Sequence, residues 1–263
     1  MRIDTHAHVF FRAASMAQQR RYTPEYDATV QDYLHELRSN DLTHGILVQP
    51  SFLGTDNSLL LATLEASGGQ LRGVAVVDAS CRRDDLAQLK DAGVIGVRLN
   101  LVGRKIPNVN LPEWTELMDA LVESGLFVEV YARSTILALV VPGLLRKGAK
   151  VIVDHFGMPD PEIGVLDPHF DNLLDYGTSR RLWCKLSAPY RCGPNGEAIA
   201  LEAYPLLREA LGLDRLLWGS DWPHTQHEGH QTYHATRAFF DQLVPDPAEN
   251  RQILGNMAEL FDD

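Results

Sequence analysis

The sequence predicts a single α/β domain over residues 1–263, a (β/α)8 barrel, on three observations. Eight short runs rich in β-branched residues each lead into a helical pattern. The length of 263 residues suits one barrel, which typically needs about 250. No glycine-rich phosphate loop marks an open nucleotide-binding sheet.

The first strand is expected over Ile3 to Val9, and the next three over Gly45 to Gln49, Gly73 to Asp78 and Ile95 to Asn100. Phe127 to Ala132, Val151 to His155, Trp183 to Ser187 and Leu216 to Asp221 complete the eight. Several are almost continuously apolar, as strands covered on both faces should be. Amphipathic helices are expected over Val30 to Arg38, Ser58 to Ala66, Asp84 to Asp91, Glu113 to Glu123 and Ala198 to Leu211. Gly93, Gly125 and Gly148 follow the third, fourth and fifth helices, where the chain must turn back into a strand. A last helix is expected over Glu249 to Phe261. Two longer loops, Phe10 to Asp27 and Trp222 to His230, follow the first and eighth strands, where barrel active sites lie.

A net charge of -11 opposes binding to nucleic acid. Cys81, Cys184 and Cys192 form no CxxC pair, and an odd number argues against a disulfide framework. Met1 runs straight into the first strand, and no apolar run reaches the roughly 20 residues that span a bilayer. A cytoplasmic protein without membrane partners is therefore expected.

His6 and His8 stand two apart on the first strand and so share a face, which in a barrel is the interior. Asp221 ends the strand that closes against the first, and His155 ends the sixth. Singly, such residues are as often satisfied core histidines or a turn aspartate, but four converging on one mouth point to chemistry. Arg98, Arg104 and Arg191 follow strands four and seven at the same end, where guanidiniums suit carboxylate ligands. In the histidine-rich loop, His224 is the one expected at the pocket, while His227, His230 and His234 read as ordinary loop residues.

Thr5-His6-Ala7-His8 together with Gly219-Ser220-Asp221-Trp222-Pro223 resembles the amidohydrolase superfamily of TIM barrels, from first strand to last. Gly96-Val97-Arg98-Leu99-Asn100, Asp154-His155-Phe156-Gly157 and Lys185-Leu186-Ser187-Ala188-Pro189-Tyr190-Arg191 are most similar to its 2-pyrone-4,6-dicarboxylate lactonase branch. That resemblance implies a hydrolase opening a lactone of a small carboxylated acid, of the sort met in aromatic or sugar-acid breakdown. It also implies that Ser51 and Tyr131 bind the acid groups. Where the branch would carry an arginine after Gly157, this chain has Met158, which cannot clamp a carboxylate and points to a lactone with fewer acidic groups.

Metal-dependent members of the superfamily take a lysine from strand four or a histidine from strand five. Here those strands offer Arg98 and Asn100, then Glu129 and Tyr131. No cofactor is expected to be required, although His6, His8 and Asp221 could hold Zn2+ with water as the fourth ligand. Without metal, Asp221 would take the proton from water while His6, His8 and His155 polarise the carbonyl. The competing readings are a zinc-dependent decarboxylase or amidohydrolase of the same superfamily, and a barrel that binds carboxylates without catalysis.

Overall fold

The computed structural model describes residues 1–103 and 111–261. Eight parallel strands follow one another in sequence order: β1 (Ile3–Ala7), β2 (His44–Val48), β3 (Leu71–Ala75), β4 (Val94–Asn100), β5 (Phe127–Tyr131), β6 (Lys150–Val153), β7 (Leu182–Ser187) and β8 (Leu216–Gly219). The segment after β8 closes the circle, since Asp221 N donates to His6 O at 2.8 Å and His8 N donates to Trp222 O at 2.8 Å. Helices α1 (Val30–Ser39), α2 (Ser58–Ala66), α3 (Arg83–Asp91), α4 (Pro112–Ser124), α5 (Ser134–Arg146), α6 (Pro168–Asp175), α7 (Gly196–Leu211) and α8 (Tyr233–Leu243) alternate with the strands. The predicted barrel is the observed one, and no helix among the described residues is long and apolar enough to cross a membrane.

Local sequence explains the punctuation. Thr29 caps α1 reciprocally with Asp32, and Gly125 ends α4 with a left-handed φ of 74° that a residue with a Cβ adopts only under strain. Six expected strands run past the observed ones: Val9, Gln49, Asp78, Ala132, His155 and Asp221 all lie beyond the strand ends. The expected terminal helix also divides into α9 (Pro247–Gly255) and a short 3-10 turn over Ala258–Leu260.

The barrel interior is layered. Ile3, Ile46, Val74, Phe127, Ile152, Trp183 and Leu217 plug its lower half. Above them the inward positions of β4, β5 and β7 carry Arg98, Glu129 and Lys185, all buried. Ile3 and His6 both face inward, although three residues apart, because the β1–β2 register shifts between Asp4 and Ala7. Asp4 therefore points outward, where it accepts from Ser220 N (2.9 Å), Ser220 Oγ (2.6 Å) and Tyr233 Oη (2.9 Å) and ties β1 to the end of β8.

Candidate functional site

At the C-terminal mouth of the barrel lies a narrow cavity of about 20 Å³, lined by His8, Arg21, Tyr22, Pro50, Ser51, Arg98, Asn100, Tyr131, His155, Arg191, Asp221 and Thr225. His6 forms its floor, with ring centroids 5.0 Å from His8 and 5.1 Å from His155. Gly219 permits this depth, because a Cβ there would lie 2.5 Å from His6 Cβ. His155 and Asp221 are swung into the mouth by left-handed backbone, at φ 51° and 60°. Asp221 Oδ1 stands 3.4 Å from His8 Nε2 and 3.6 Å from His6 Nε2, so the four expected side chains do meet.

Each ring is oriented by a partner on its far side. His8 Nδ1 donates to Val48 O at 2.7 Å, which turns Nε2 toward Asp221. The Lys185 ammonium donates to His6 Nδ1 at 3.0 Å, which leaves the hydrogen of the neutral ring on Nε2. His155 Nδ1 pairs with Ser187 Oγ at 2.8 Å. Burial, reinforced by Lys185, holds His6 well below the usual imidazole range, and burial lowers His155 to about 3, so both are neutral at physiological pH.

Asp221 behaves differently on its two oxygens. Oδ2 accepts from Arg191 Nε (2.6 Å) and Tyr190 Oη (2.8 Å), whereas the buried Oδ1 has no hydrogen-bond partner. Burial alone would raise its pKa, but Arg191 and the surrounding histidines overcome this and keep it well below the ordinary value. The carboxylate is thus ionised and fixed, with one oxygen turned to the imidazoles. The Nε2 atoms of His6 and His155 are likewise buried without partners.

Beneath the mouth is an ionic floor that the sequence reading did not foresee. Lys185 pairs with Glu129 and approaches Asp154 Oδ1 at 3.6 Å, while Arg98 donates to Asp154 Oδ2 through Nε (3.2 Å) and Nη2 (2.8 Å) and lies 3.2 Å from Glu129. Burial and the neighbouring Asp154 charge push Glu129 up to about 7 despite Lys185. Asp154 itself is held well down, because Arg98, His6 and Lys185 outweigh its burial. The visible signal was a charged residue at an inward position of an otherwise apolar strand.

The expected binding residues divide. Ser51, Tyr131, Arg98 and Arg191 line the cavity, but the last two are already ion-paired, Arg98 to Asp154 and Glu129, and Arg191 to Asp221. His224 is buried and does not itself line the cavity; its Nδ1 lies 3.2 Å from Tyr190 Oη, which donates to Asp221 Oδ2. Arg104 lies outside the described residues. Tyr22, whose hydroxyl donates to Thr225 Oγ1 at 2.9 Å, and Arg21 enter from the first long loop.

Comparison with known proteins agrees with this constellation. A family model described as amidohydrolase matches residues 3–261. The chain is 32% identical to a 2-pyrone-4,6-dicarboxylate hydrolase of Comamonas testosteroni, over 96% of this chain and 86% of that one. It is 29% identical to a 4-sulfomuconolactone hydrolase of Hydrogenophaga intermedia, over 84% and 74% respectively. Among solved structures, a probable 2-pyrone-4,6-dicarboxylic acid hydrolase of Acinetobacter baumannii with citric acid bound is 40% identical at a TM-score of 0.94, over 99% of this chain and 98% of that one. With His6 on β1 and His8 just past it, a third histidine after β6 and an aspartate after β8 at the mouth of such a barrel, the chain belongs to the amidohydrolase family.

Proposed function

We propose that this protein hydrolyses a lactone of a small carboxylated acid and that it does so without a metal. The observation that carries the reading is the unpartnered Asp221 Oδ1 facing His8 Nε2 at 3.4 Å, beside the two further unpartnered imidazole atoms. A water seated beside this pair would donate one hydrogen to Asp221 Oδ1 and the other to His8 Nε2. Its oxygen attacks the lactone carbonyl while Asp221 takes a proton. His6 Nε2–H, and His155 Nε2–H when Ser187 donates to Nδ1, stabilise the oxyanion. Collapse breaks the ring C–O bond; the leaving oxygen receives the proton from Asp221, giving a carboxylic acid and an alcohol or enol. In this scheme His8 holds the water rather than polarising the carbonyl, the role first expected of it.

Zinc, which other amidohydrolase-like barrels bind, suits these donors poorly. His6 Nε2, His8 Nε2 and Asp221 Oδ1 are close enough to one another for a shared ion. The Lys185 ammonium on Nδ1, however, leaves His6 Nε2 bearing hydrogen and without a lone pair, so two donors remain where a catalytic zinc takes three. No step is routed through metal. An activated ester has a better leaving group than an amide, so hydrogen-bonded electrophilic help suffices.

The relatives that act on lactones support the substrate class, and the neighbour solved with citric acid bound supports a carboxylated ligand. The test is turnover of a panel of carboxylated lactones by purified protein, followed as acid release. Ring opening of at least one, abolished in Asp221→Asn, is expected; carboxylate binding with no turnover by native protein would favour a non-catalytic barrel.

A further inference from the structure

Among the described residues, the charges of the cavity leave one cation conspicuous. Three buried or nearly buried cations, Arg98, Lys185 and Arg191, are matched by three carboxylates, Glu129, Asp154 and Asp221. That inner set is close to neutral, so it offers hydrogen bonds but little net attraction to an anion. Position 158, where the resemblance implies an arginine, holds a buried Met158 that does not line the cavity. Arg21 does line it: the guanidinium lies 5.9 Å from the centroid of the Tyr131 ring, and among the described residues it has no carboxylate partner. A guanidinium stacked on an aromatic ring keeps its N–H edge free for a carboxylate.

We propose that Arg21 is the specificity-determining clamp for a substrate carboxylate, delivered from the loop after β1 instead of from the turn after β6. This rests on the lactone-hydrolase reading for its substrate, not for its anion. The anionic group would sit at the free N–H edge of Arg21, on the β5 side of the mouth, with the lactone carbonyl turned inward to His6 and His155. Substrates lacking that carboxylate would forgo a charge-assisted pair and be discriminated against.

The experiment compares a carboxylated lactone with its methyl ester, using native protein, Arg21→Gln, Arg21→Lys and Met158→Gln. The ratio of kcat/KM for acid over ester should fall about tenfold or more in Arg21→Gln, chiefly through KM, and recover partly in Arg21→Lys. In Met158→Gln the ratio should stay within about twofold of native. An unchanged ratio in Arg21→Gln, or an equal fall for acid and ester, overturns the proposal. Calorimetric titration with tricarballylate, a tricarboxylate that cannot be hydrolysed, separates this idea from the catalytic one. Tricarballylate binding weakened by Arg21→Gln sustains the clamp even if native protein opens no lactone, and binding that is unaffected removes it.

Discussion

Lys185 Nζ lies 3.0 Å from His6 Nδ1, so a buried ammonium sets which nitrogen of the deepest imidazole carries hydrogen. That contact links the ionic floor to the chemistry above it. Replacing Lys185 by Met leaves Glu129 and Asp154 with Arg98 as their only full counter-charge, and should cost about 3–5 kcal/mol of stability. The double variant Lys185→Met/Glu129→Gln should recover part of the loss in denaturant titrations, because one stranded carboxylate is gone. Additive losses would show that the two groups are not coupled.

Asp221→Asn removes the proposed base while keeping the size of the side chain. A fall in kcat of roughly 100-fold or more is expected, with the thermal midpoint nearly retained. Activity within a few-fold of native would move the base to another residue, with His8 the first to examine.

Arg191→Met tests how Asp221 is kept ionised. With the guanidinium gone, burial acts on Asp221 less opposed and its pKa rises. The acid limb of the kcat/KM profile should therefore move to higher pH, so that loss of activity is greater at acid than at neutral pH. A uniform loss across pH would mean that Arg191 acts on substrate alone.

Arg98→Met is expected to reduce stability before it alters substrate affinity. Arg98 neutralises two buried carboxylates at 2.8 and 3.2 Å, and either left unpaired is a large penalty. A variant that folds as stably as native and shows only a higher KM would restore the simpler view of Arg98 as a surface clamp.

Glu129 predicts a pH dependence of stability with a definite sign. Its pKa is raised from 4.5 to about 7, so the folded chain holds this proton more tightly than the unfolded one. The resulting stabilisation is full below 4.5 and disappears as pH rises through about 7. Glu129→Gln should flatten that decline in unfolding free energy. His155, lowered to about 3, acts in the opposite sense, since its contribution is lost as pH falls from 6.5. The comparison must therefore be made between variants, not read from the native curve.

Much of this was legible in residue order because barrel geometry is repetitive. A period of two puts His6 and His8 together, and strand adjacency brings Asp221 to them. The turns were not legible: nothing local announces that His155 and Asp221 take left-handed backbone, so strands drawn to include them ran long. The β1 register shift was also hidden, since it depends on the neighbouring strand. Helix α5 is apolar on most sides and contains Pro142, so it gave no clean amphipathic period, whereas α6, though amphipathic, has only 8 residues. The ionic floor escaped because Glu129, Asp154 and Lys185 come from β5, the turn after β6 and β7, and only their meeting reveals a shared task.

The most direct measurement is lactone turnover by protein stripped with a strong chelator, with residual metal determined on the same sample. The account predicts undiminished ring opening at metal far below one equivalent, and no gain on adding zinc. Activity that vanishes on stripping and returns with stoichiometric zinc would contradict the fixed His6 tautomer on which the chemistry depends.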